Sequence, residues 1–115
     1  MPRKDAGEPY YRVDSIEANQ ILVSDPDNTI AIDVRRDDEW ATGHVAGAIH
    51  IPVDDLLDRS EEIPTDKKVL FICAAGVRSG LACEMMVSLG FDSELVYNID
   101  DGTPSWIAAG LPTEK

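Results

Sequence analysis

The sequence predicts an α/β domain in which helices cover both faces of a mainly parallel central sheet. Two short apolar runs, residues 29–33 and 69–72, have the character of strands that are buried on both faces, as in parallel sheets. Segments with helical spacing alternate with such runs along the whole chain. Open α/β sheets bind their ligands at the carboxyl ends of the strands, where Asp33 and Cys73 fall. We therefore expect the functional site at this edge of the sheet.

The first elements of this pattern lie in the first 33 residues. Residues 10–13 are predicted to form a short strand. Asp14 and Glu17 have the spacing of a capping box, which predicts a helix that runs from there to about Val23. An Asp-Pro-Asp-Asn turn then leads into the strand at 29–33.

The middle of the chain is built from shorter segments. A short helix is predicted around Trp40 and is closed by Gly43. Residues 44–52 are predicted to form a turn and then a brief strand. Another short helix is expected over residues 53–59, and a charged surface loop over residues 60–66.

The last third repeats the alternation of strand and helix. The apolar strand at 69–72 precedes a helix that is predicted to begin near residue 79 and to end at residue 89. A strand at 94–98 comes next, and a final helix is expected to begin at residue 101. Residues 110–112 close the domain.

Length and composition suit one compact domain. The 115 residues provide one proper core and not two. Residues 1–9 show no periodicity, so we predict a flexible N-terminal tail there and the folded domain over residues 10–115. No apolar run approaches the length of a transmembrane helix, and no apolar segment follows the N-terminal charges. We therefore expect a cytoplasmic protein without a signal peptide.

The net charge is −12, from 10 basic and 22 acidic side chains. Such a charge argues against nucleic acid and against anionic membranes as partners. A high-salt cytoplasm and an acidic surface that resists association would both account for it. Both explanations stay open.

Cys73 has the surroundings of a nucleophile. The strand at 69–72 ends at this cysteine, and the small residues 74–76 that follow let the backbone pass close to a ligand. The N-terminus of the next helix supplies unpaired N–H groups and a positive dipole end, which favour an anion. Such a setting can lower a thiol pKa from about 8.5 to roughly 3.5–7.5. The alternative is a buried structural thiol.

Two cysteines do not make a disulfide framework.

Three blocks of sequence carry a resemblance to a known family. They are residues 32–52, the loop at residues 73–79 and residues 102–112. In this order they resemble the corresponding motifs of single-domain rhodaneses, the sulfurtransferases that carry sulfur as a cysteine persulfide. The likeness extends over residues 11–112, nearly the whole chain.

The resemblance implies a rhodanese-like three-layer fold and a sulfur-transfer reaction at Cys73. This residue would take sulfane sulfur from thiosulfate or another persulfide donor and pass it to a thiophilic acceptor, such as cyanide or a thiol. A protein persulfide is a further candidate partner, and no metal or organic cofactor is required. Backbone N–H groups and side chains of the loop would hold the transferred sulfur; these are Ala74, Ala75, Gly76, Val77, Arg78 and Ser79. The alternative is a non-catalytic or regulatory rhodanese module that binds a partner protein or senses sulfur or redox state.

The loop differs from those of related enzymes in length and charge. Cysteine-based phosphatases use Cys-x5-Arg, whereas Arg78 follows Cys73 as Cys-x4-Arg, so the smaller loop suits a single sulfur atom better. Some sulfurtransferases carry basic side chains just after the cysteine, where this chain has Ala74 and Ala75. Arg78 is then the one cation of the loop, and a persulfide is as plausible a donor as thiosulfate.

Several polar side chains have open or supporting roles. Asp33 and Arg35 are expected to support the site as scaffold residues. For Arg78, binding of the substrate anion and bracing of the loop against a carboxylate such as Asp33 both stay open. Ser79 is expected to cap the helix, with a hydrogen bond to the thiolate as a second role. For Glu39, the mouth of the pocket and the helix surface are both open.

The remaining candidates favour structural roles. Cys83, in mid-helix, is expected to pack in the core rather than to resolve a disulfide. His44 is expected to hold a turn through hydrogen bonds, and the spacing of the histidines and cysteines matches no standard zinc pattern. Trp40 and Trp106 are both predicted to belong to the core.

Overall fold

The computed structural model describes residues 2–115 and contains a five-stranded sheet beside a small two-stranded one. The strands are β1 (Tyr11–Val13), β2 (Thr29–Asp33), β3 (His44–Val45), β4 (Ile49–His50), β5 (Lys68–Ile72), β6 (Val96–Ile99) and β7 (Thr113–Glu114). The large sheet has the order β1-β6-β5-β2-β4, and its paired neighbours are all parallel. β3 and β7 pair antiparallel. The central strand is therefore β5, which leads directly to Cys73.

Helices pack on both faces of the large sheet. They are α1 (Ser15–Ser24), α2 (Asp37–Trp40), α3 (Val77–Ser88) and α4 (Gly102–Ala108). Alternate side chains of a strand point to opposite faces, and β5 accordingly contributes Phe71 to one core cluster and Leu70 to the other. Met86 of α3 lies in the first cluster, and Trp106 of α4 in the second. The predicted three-layer α/β fold is confirmed.

Several predicted elements are confirmed because their signals are local. The capping box is present: the Glu17 N–H donates to Asp14 Oδ1 at 2.8 Å, and the Asp14 N–H donates to Glu17 Oε1 at 3.2 Å. The strand at 29–33 has the bounds that its apolar pattern predicts. Trp106 is fully buried, as expected of a core residue.

The start of α3 corrects one prediction. The helix begins at Val77, and its N-cap residue is Gly76, so Ser79 lies inside the first turn and does not cap the helix. Gly76 has a φ of 86°, a left-handed conformation that turns the chain into the helix two residues earlier than expected. The Ser79 side chain is therefore available for contacts with other groups.

The helix predicted over residues 53–59 is also wrong. A single 3-10 turn forms at Val53–Asp55, and the chain continues through turns to another 3-10 segment at Ser60–Glu62. The residues of this segment follow a turn-rich path on which Leu56 is fully buried, so packing of this side chain, rather than helical spacing, sets the course of the chain. The pairing of Thr113–Glu114 with His44–Val45 was missed, since two-residue strands leave no periodic signal.

The N-terminal residues lie against the edge strand of the large sheet. The Arg3 N–H donates to the Arg12 carbonyl at 3.1 Å and the Arg12 N–H to the Arg3 carbonyl at 2.6 Å. Lys4 Nζ lies 2.7 Å from Glu94 Oε2. The tail at residues 1–9 stays a prediction, and Met1 lies outside the described residues. Within residues 2–115, no helix has both the length and the apolar character needed to cross a membrane.

Candidate active site

Cys73 lies at the carboxyl edge of the sheet, at the end of the central strand. Its neighbours in the sheet are β2 and β6, so the loops that follow these strands converge on it. Cys73 is only 1% exposed. The thiol therefore lies at the floor of the site, and the surrounding backbone controls which groups reach it.

Hydrogen-bond donors surround the Cys73 sulfur. The Gly76 N–H donates to Sγ at 3.1 Å, and the N–H groups of Ala75 and Ser79 are also directed at it. The Ser79 hydroxyl oxygen lies 3.3 Å from Sγ. The left-handed Gly76 folds the loop back over the sulfur, and a Cβ atom at this position would lie 2.6 Å from the Asp100 carbonyl oxygen. Only glycine fits there, and the result is a concave nest of N–H groups that suits an anion.

The environment lowers the pKa of Cys73. Burial raises the pKa, because it disfavours the charged thiolate. Hydrogen bonds from the Ser79 hydroxyl and from the N–H groups of Ser79, Ala75 and Gly76 lower it by more, so the net shift is below the ordinary value of a thiol. The loop thus favours the nucleophilic form of the sulfur.

A buried amide on β6 extends this hydrogen-bond chain. The Ser79 hydroxyl donates to Asn98 Oδ1 at 2.6 Å, and Asn98 Nδ2 donates to the Gly76 carbonyl at 3.1 Å. Asn98 is 0% exposed. Sequence reasoning assigned Asn98 only to a strand, although a lone amide between apolar strand residues is a signal for a buried polar contact.

The start of α4 contacts the site from the other side. The Thr103 N–H donates to the Cys73 carbonyl at 2.9 Å, and the Thr103 hydroxyl donates to the same oxygen at 3.2 Å. Gly102 has a φ of 78°, and a Cβ atom there would overlap the Ala74 carbonyl. The backbones of the two loops are therefore in direct contact, a role for Gly102 and Thr103 that the sequence did not predict.

Arg78 is held by a carboxylate from α2. Its Nη1 donates to Glu39 Oε1 at 2.7 Å and its Nη2 to Oε2 at 2.9 Å. The Arg78 guanidinium lowers the pKa of Glu39 to about 2. This geometry agrees with the role in which Arg78 braces the loop against a carboxylate. That carboxylate is Glu39 rather than Asp33.

Asp33, the last residue of β2, pairs instead with Arg35 in the loop that follows, and both residues are buried. Arg35 Nη2 lies 2.8 Å from Asp33 Oδ2 and also donates to the Gly43 carbonyl at 2.7 Å. The pair ties the end of β2 to the turn before β3. Both residues thus lie beside the site without a direct hydrogen bond to Cys73 among the described contacts.

Trp40 stacks with two histidine rings. The ring centroids of Trp40 and His44 are 3.3 Å apart, and those of Trp40 and His50 are 4.6 Å apart. His44 Nδ1 is 2.9 Å from the Trp40 carbonyl oxygen, so this histidine does hold the turn by a hydrogen bond. Trp40 itself is half-buried rather than a core residue.

Cys83 lies in the core on α3. It is fully buried, and its Sγ donates a 3.4 Å hydrogen bond to the Tyr97 carbonyl. Burial raises the pKa of the Cys83 thiol well above its ordinary value, so this sulfur is held in its unreactive form. The contrast with Cys73 is set by environment, since the residue type is the same.

Comparison with known proteins identifies the family. The family model of the rhodanese-like domain matches residues 17–109. The chain is 32% identical over 100 residues to a sulfurtransferase of Allochromatium vinosum, an alignment that covers 87% of this chain and 91% of the relative. The chain therefore belongs to the rhodanese-like domain family, a family of sulfur-transfer proteins.

Solved structures agree with this assignment. The crystal structure of a rhodanese-related protein from Thermoplasma volcanium aligns with a TM-score of 0.75 at 29% identity, over 90% of this chain and 96% of that one. The solution structure of a rhodanese-like domain from Anabaena aligns with a TM-score of 0.78 at 28% identity, over 93% of this chain and 79% of that one. The fold of these proteins is thus the fold of this chain.

Proposed function

We propose that this protein is a sulfurtransferase that moves sulfane sulfur from a donor to a thiophilic acceptor through a persulfide on Cys73. The observation that carries the proposal is the set of N–H donors around the sulfur, those of Ala75, Gly76 and Ser79, with the Ser79 hydroxyl oxygen 3.3 Å away. The donor is thiosulfate or another persulfide, and the acceptor is a thiol or cyanide.

The reaction proceeds in two half-reactions. In the first, the Cys73 thiolate attacks the outer sulfur of thiosulfate; a new S–S bond forms, the donor S–S bond breaks, and sulfite leaves with the electron pair. In the second, the acceptor attacks the outer sulfur of the persulfide, and the Cys73 thiolate leaves. The negative charge of the persulfide lies on its outer sulfur, where loop N–H groups between Ala74 and Ser79 stabilise it.

The charges around the loop bear on the choice of donor. Ala74 and Ala75 carry no charge, and Arg78 is already paired with Glu39. An anionic donor therefore meets no free cation within the loop at residues 73–79, on a protein with a net charge of −12. A persulfide, whether small or carried on a partner protein, is for this reason as suitable as thiosulfate. A reducing cytoplasm, in which the thiol stays available, belongs to the same proposal.

Loop length supports sulfur transfer over phosphoryl transfer. Four residues separate Cys73 from Arg78, and α3 already begins at Val77. The loop proper is thus limited to residues 74–76, and its donors point at one sulfur atom. A tetrahedral phosphate needs a wider arrangement of donors.

Mass spectrometry of the intact protein after thiosulfate treatment tests the proposal. We expect one added sulfur, removable by dithiothreitol, on the native protein and on Cys83→Ser, which serves as the matched thiol control. Cys73→Ser should take up none and should lose thiosulfate:cyanide transfer. Equal loss in both folded variants would replace the single-thiol mechanism with a dithiol relay. Absence of any added sulfur from thiosulfate and from a small persulfide would favour a module that only binds partners.

A further inference from the structure

The Ser79 hydroxyl faces two acceptors but carries one proton. Its oxygen lies 2.6 Å from Asn98 Oδ1 and 3.3 Å from Cys73 Sγ. The Gly76 carbonyl can only accept, so the Asn98 amide nitrogen must face it, and Oδ1 must face Ser79. The hydroxyl proton is therefore directed at Asn98 in this structure. In the neutral state, the Cys73 S–H then donates to the Ser79 oxygen.

Ionisation of Cys73 disturbs this arrangement. A thiolate has no proton to donate, and it would face the lone pairs of the Ser79 oxygen unless the hydroxyl turned toward it. If the hydroxyl turns, Asn98 Oδ1 loses its donor inside a fully buried site. An unpaired buried acceptor is costly, so Asn98 opposes the thiolate.

Sulfur uptake reverses the disturbance. In a persulfide, Sγ is bonded to carbon and to the outer sulfur, and the negative charge lies mainly on the outer sulfur. Sγ is then a weak acceptor, so the Ser79 hydroxyl can return to Asn98 Oδ1. In this state both the hydroxyl and the amide are satisfied.

We propose that Asn98 is a positioning residue that competes with Cys73 for the Ser79 hydroxyl and thereby favours the persulfide over the free thiolate. The part that concerns the persulfide rests on the proposed function. The part that concerns ionisation of the thiol does not, and it can be measured by itself.

Other charged and titratable groups surround the site but do not take part in this exchange. They are the Arg78–Glu39 pair, the Asp33–Arg35 pair from β2, Tyr10 with Glu8 beside β1, Cys83 on α3, and Asp100 and Asp101 after β6. Within residues 2–115, the Ser79 hydroxyl and the Asn98 amide have hydrogen bonds only to each other, to Cys73 and to Gly76.

The first test is the pKa of Cys73 in Asn98→Leu, followed by thiolate absorbance or by the pH dependence of alkylation. Leucine has a similar volume and removes the competing acceptor, so we expect a lower pKa, with roughly tenfold more thiolate at a given pH below it. A purely structural role predicts the opposite sign. Loss of the bond from Asn98 Nδ2 to Gly76 would loosen the loop, weaken the N–H donors and raise the pKa.

A double-mutant cycle separates the two roles further. Ser79→Ala should raise the pKa of Cys73, because the thiolate loses a donor. Addition of Asn98→Leu to Ser79→Ala should then change the pKa little, since no hydroxyl is left to share. Asn98→Ala gives a second variant if leucine does not fold, and Val96→Ala is the control for a core change on the same strand. An unchanged or raised pKa in the Asn98 variants would overturn the proposal.

The second test measures the persulfide equilibrium. At a fixed ratio of thiosulfate to sulfite, above the pKa of Cys73, the ratio of persulfide to free protein should fall several-fold in Asn98→Leu relative to the native protein. A lowered pKa with an unchanged ratio would refute the persulfide half of the proposal. If the native protein takes up no sulfur from any donor, the proposed function fails, and the pKa measurement still decides the role of Asn98 in ionisation.

Discussion

Arg78 and Glu39, 39 residues apart in the chain, form a bidentate ion pair with N–O distances of 2.7 and 2.9 Å. The pair joins α2 to the first turn of α3 and thus braces the loop that carries Cys73. It also neutralises the one cation of the loop sequence at residues 73–79. Positional support and weakened attraction for anions therefore come from the same contact.

Glu39→Gln should speed the reaction with thiosulfate. Glutamine keeps the side-chain length and one acceptor for Arg78 but removes the negative charge, so the guanidinium becomes available to a dianion. We expect the second-order rate at low salt to rise about two- to tenfold, since one charge at close range contributes on the order of 1 kcal/mol. The measurement is single-turnover formation of the persulfide, monitored by intact mass.

Glu62→Gln is the matched control for that experiment. Glu62 forms a similar bidentate ion pair with Arg59, and Glu62→Gln changes the net charge of the protein by the same amount as Glu39→Gln. Its effect on the thiosulfate rate should be small. Equal acceleration by both variants would assign the effect to global charge instead of to Arg78.

The thiosulfate rate should also rise from low to moderate ionic strength. A dianion is repelled by a protein of net charge −12, and the Debye length falls from about 30 Å at 0.01 M to about 10 Å at 0.1 M. Ala75→Lys should raise the rate at low salt and flatten its salt dependence. A steady decrease of the native rate from the lowest salt would show that local attraction dominates.

The Glu39–Arg78 pair should stabilise the fold in a pH-dependent way. The folded pKa of Glu39, about 2, lies below its ordinary value, so the stabilisation is present above the ordinary value of about 4.5 and is lost as the pH falls toward 2. The pair is partly exposed, so we expect about 1 kcal/mol at pH 6. Urea unfolding should show this difference between native protein and Glu39→Gln at pH 6, and most of it should vanish near pH 2.5. If the difference in the free energy of unfolding between the two proteins were the same at pH 6 and pH 2.5, the lowered pKa of Glu39 would be contradicted.

Gly102→Ala should disrupt both stability and activity. The left-handed backbone disfavours alanine by roughly 1–2 kcal/mol, and the new Cβ atom would displace the Ala74 carbonyl beside Cys73. We expect at least a tenfold loss of transfer activity and a lower Tm. Gly47→Ala is the matched control, because Gly47 also has a φ of 78° but nothing within 4 Å of the added methyl group. Gly47→Ala should lose some stability and retain activity. Loss of activity in both glycine variants would show that the clash with the Ala74 carbonyl is not the cause of the loss in Gly102→Ala.

The sequence by itself determined the features whose physical cause is local. The apolar runs of β2 and β5 predict strands that are buried on both faces, because a short, continuous apolar run is typical of a strand inside a parallel sheet. The Asp14–Glu17 capping box marks the start of α1 within four residues. Cys73 followed by small residues marks the loop at a strand end, so the sequence predicts a candidate site at the carboxyl edge of the sheet, which is where the structure has this loop.

The tertiary structure alone decided which side chains meet Cys73 and how they are paired. Asn98 reaches Ser79, and Glu39 reaches Arg78, only because the order β6-β5-β2 sets the central loop between the two flanking ones. Local pattern carries no information on such distant pairs. The start of α3 at Val77 likewise depends on the left-handed turn at Gly76, where the nearby Asp100 backbone leaves no room for a Cβ atom. Long-range packing, which no short window of sequence contains, is the physical reason for each.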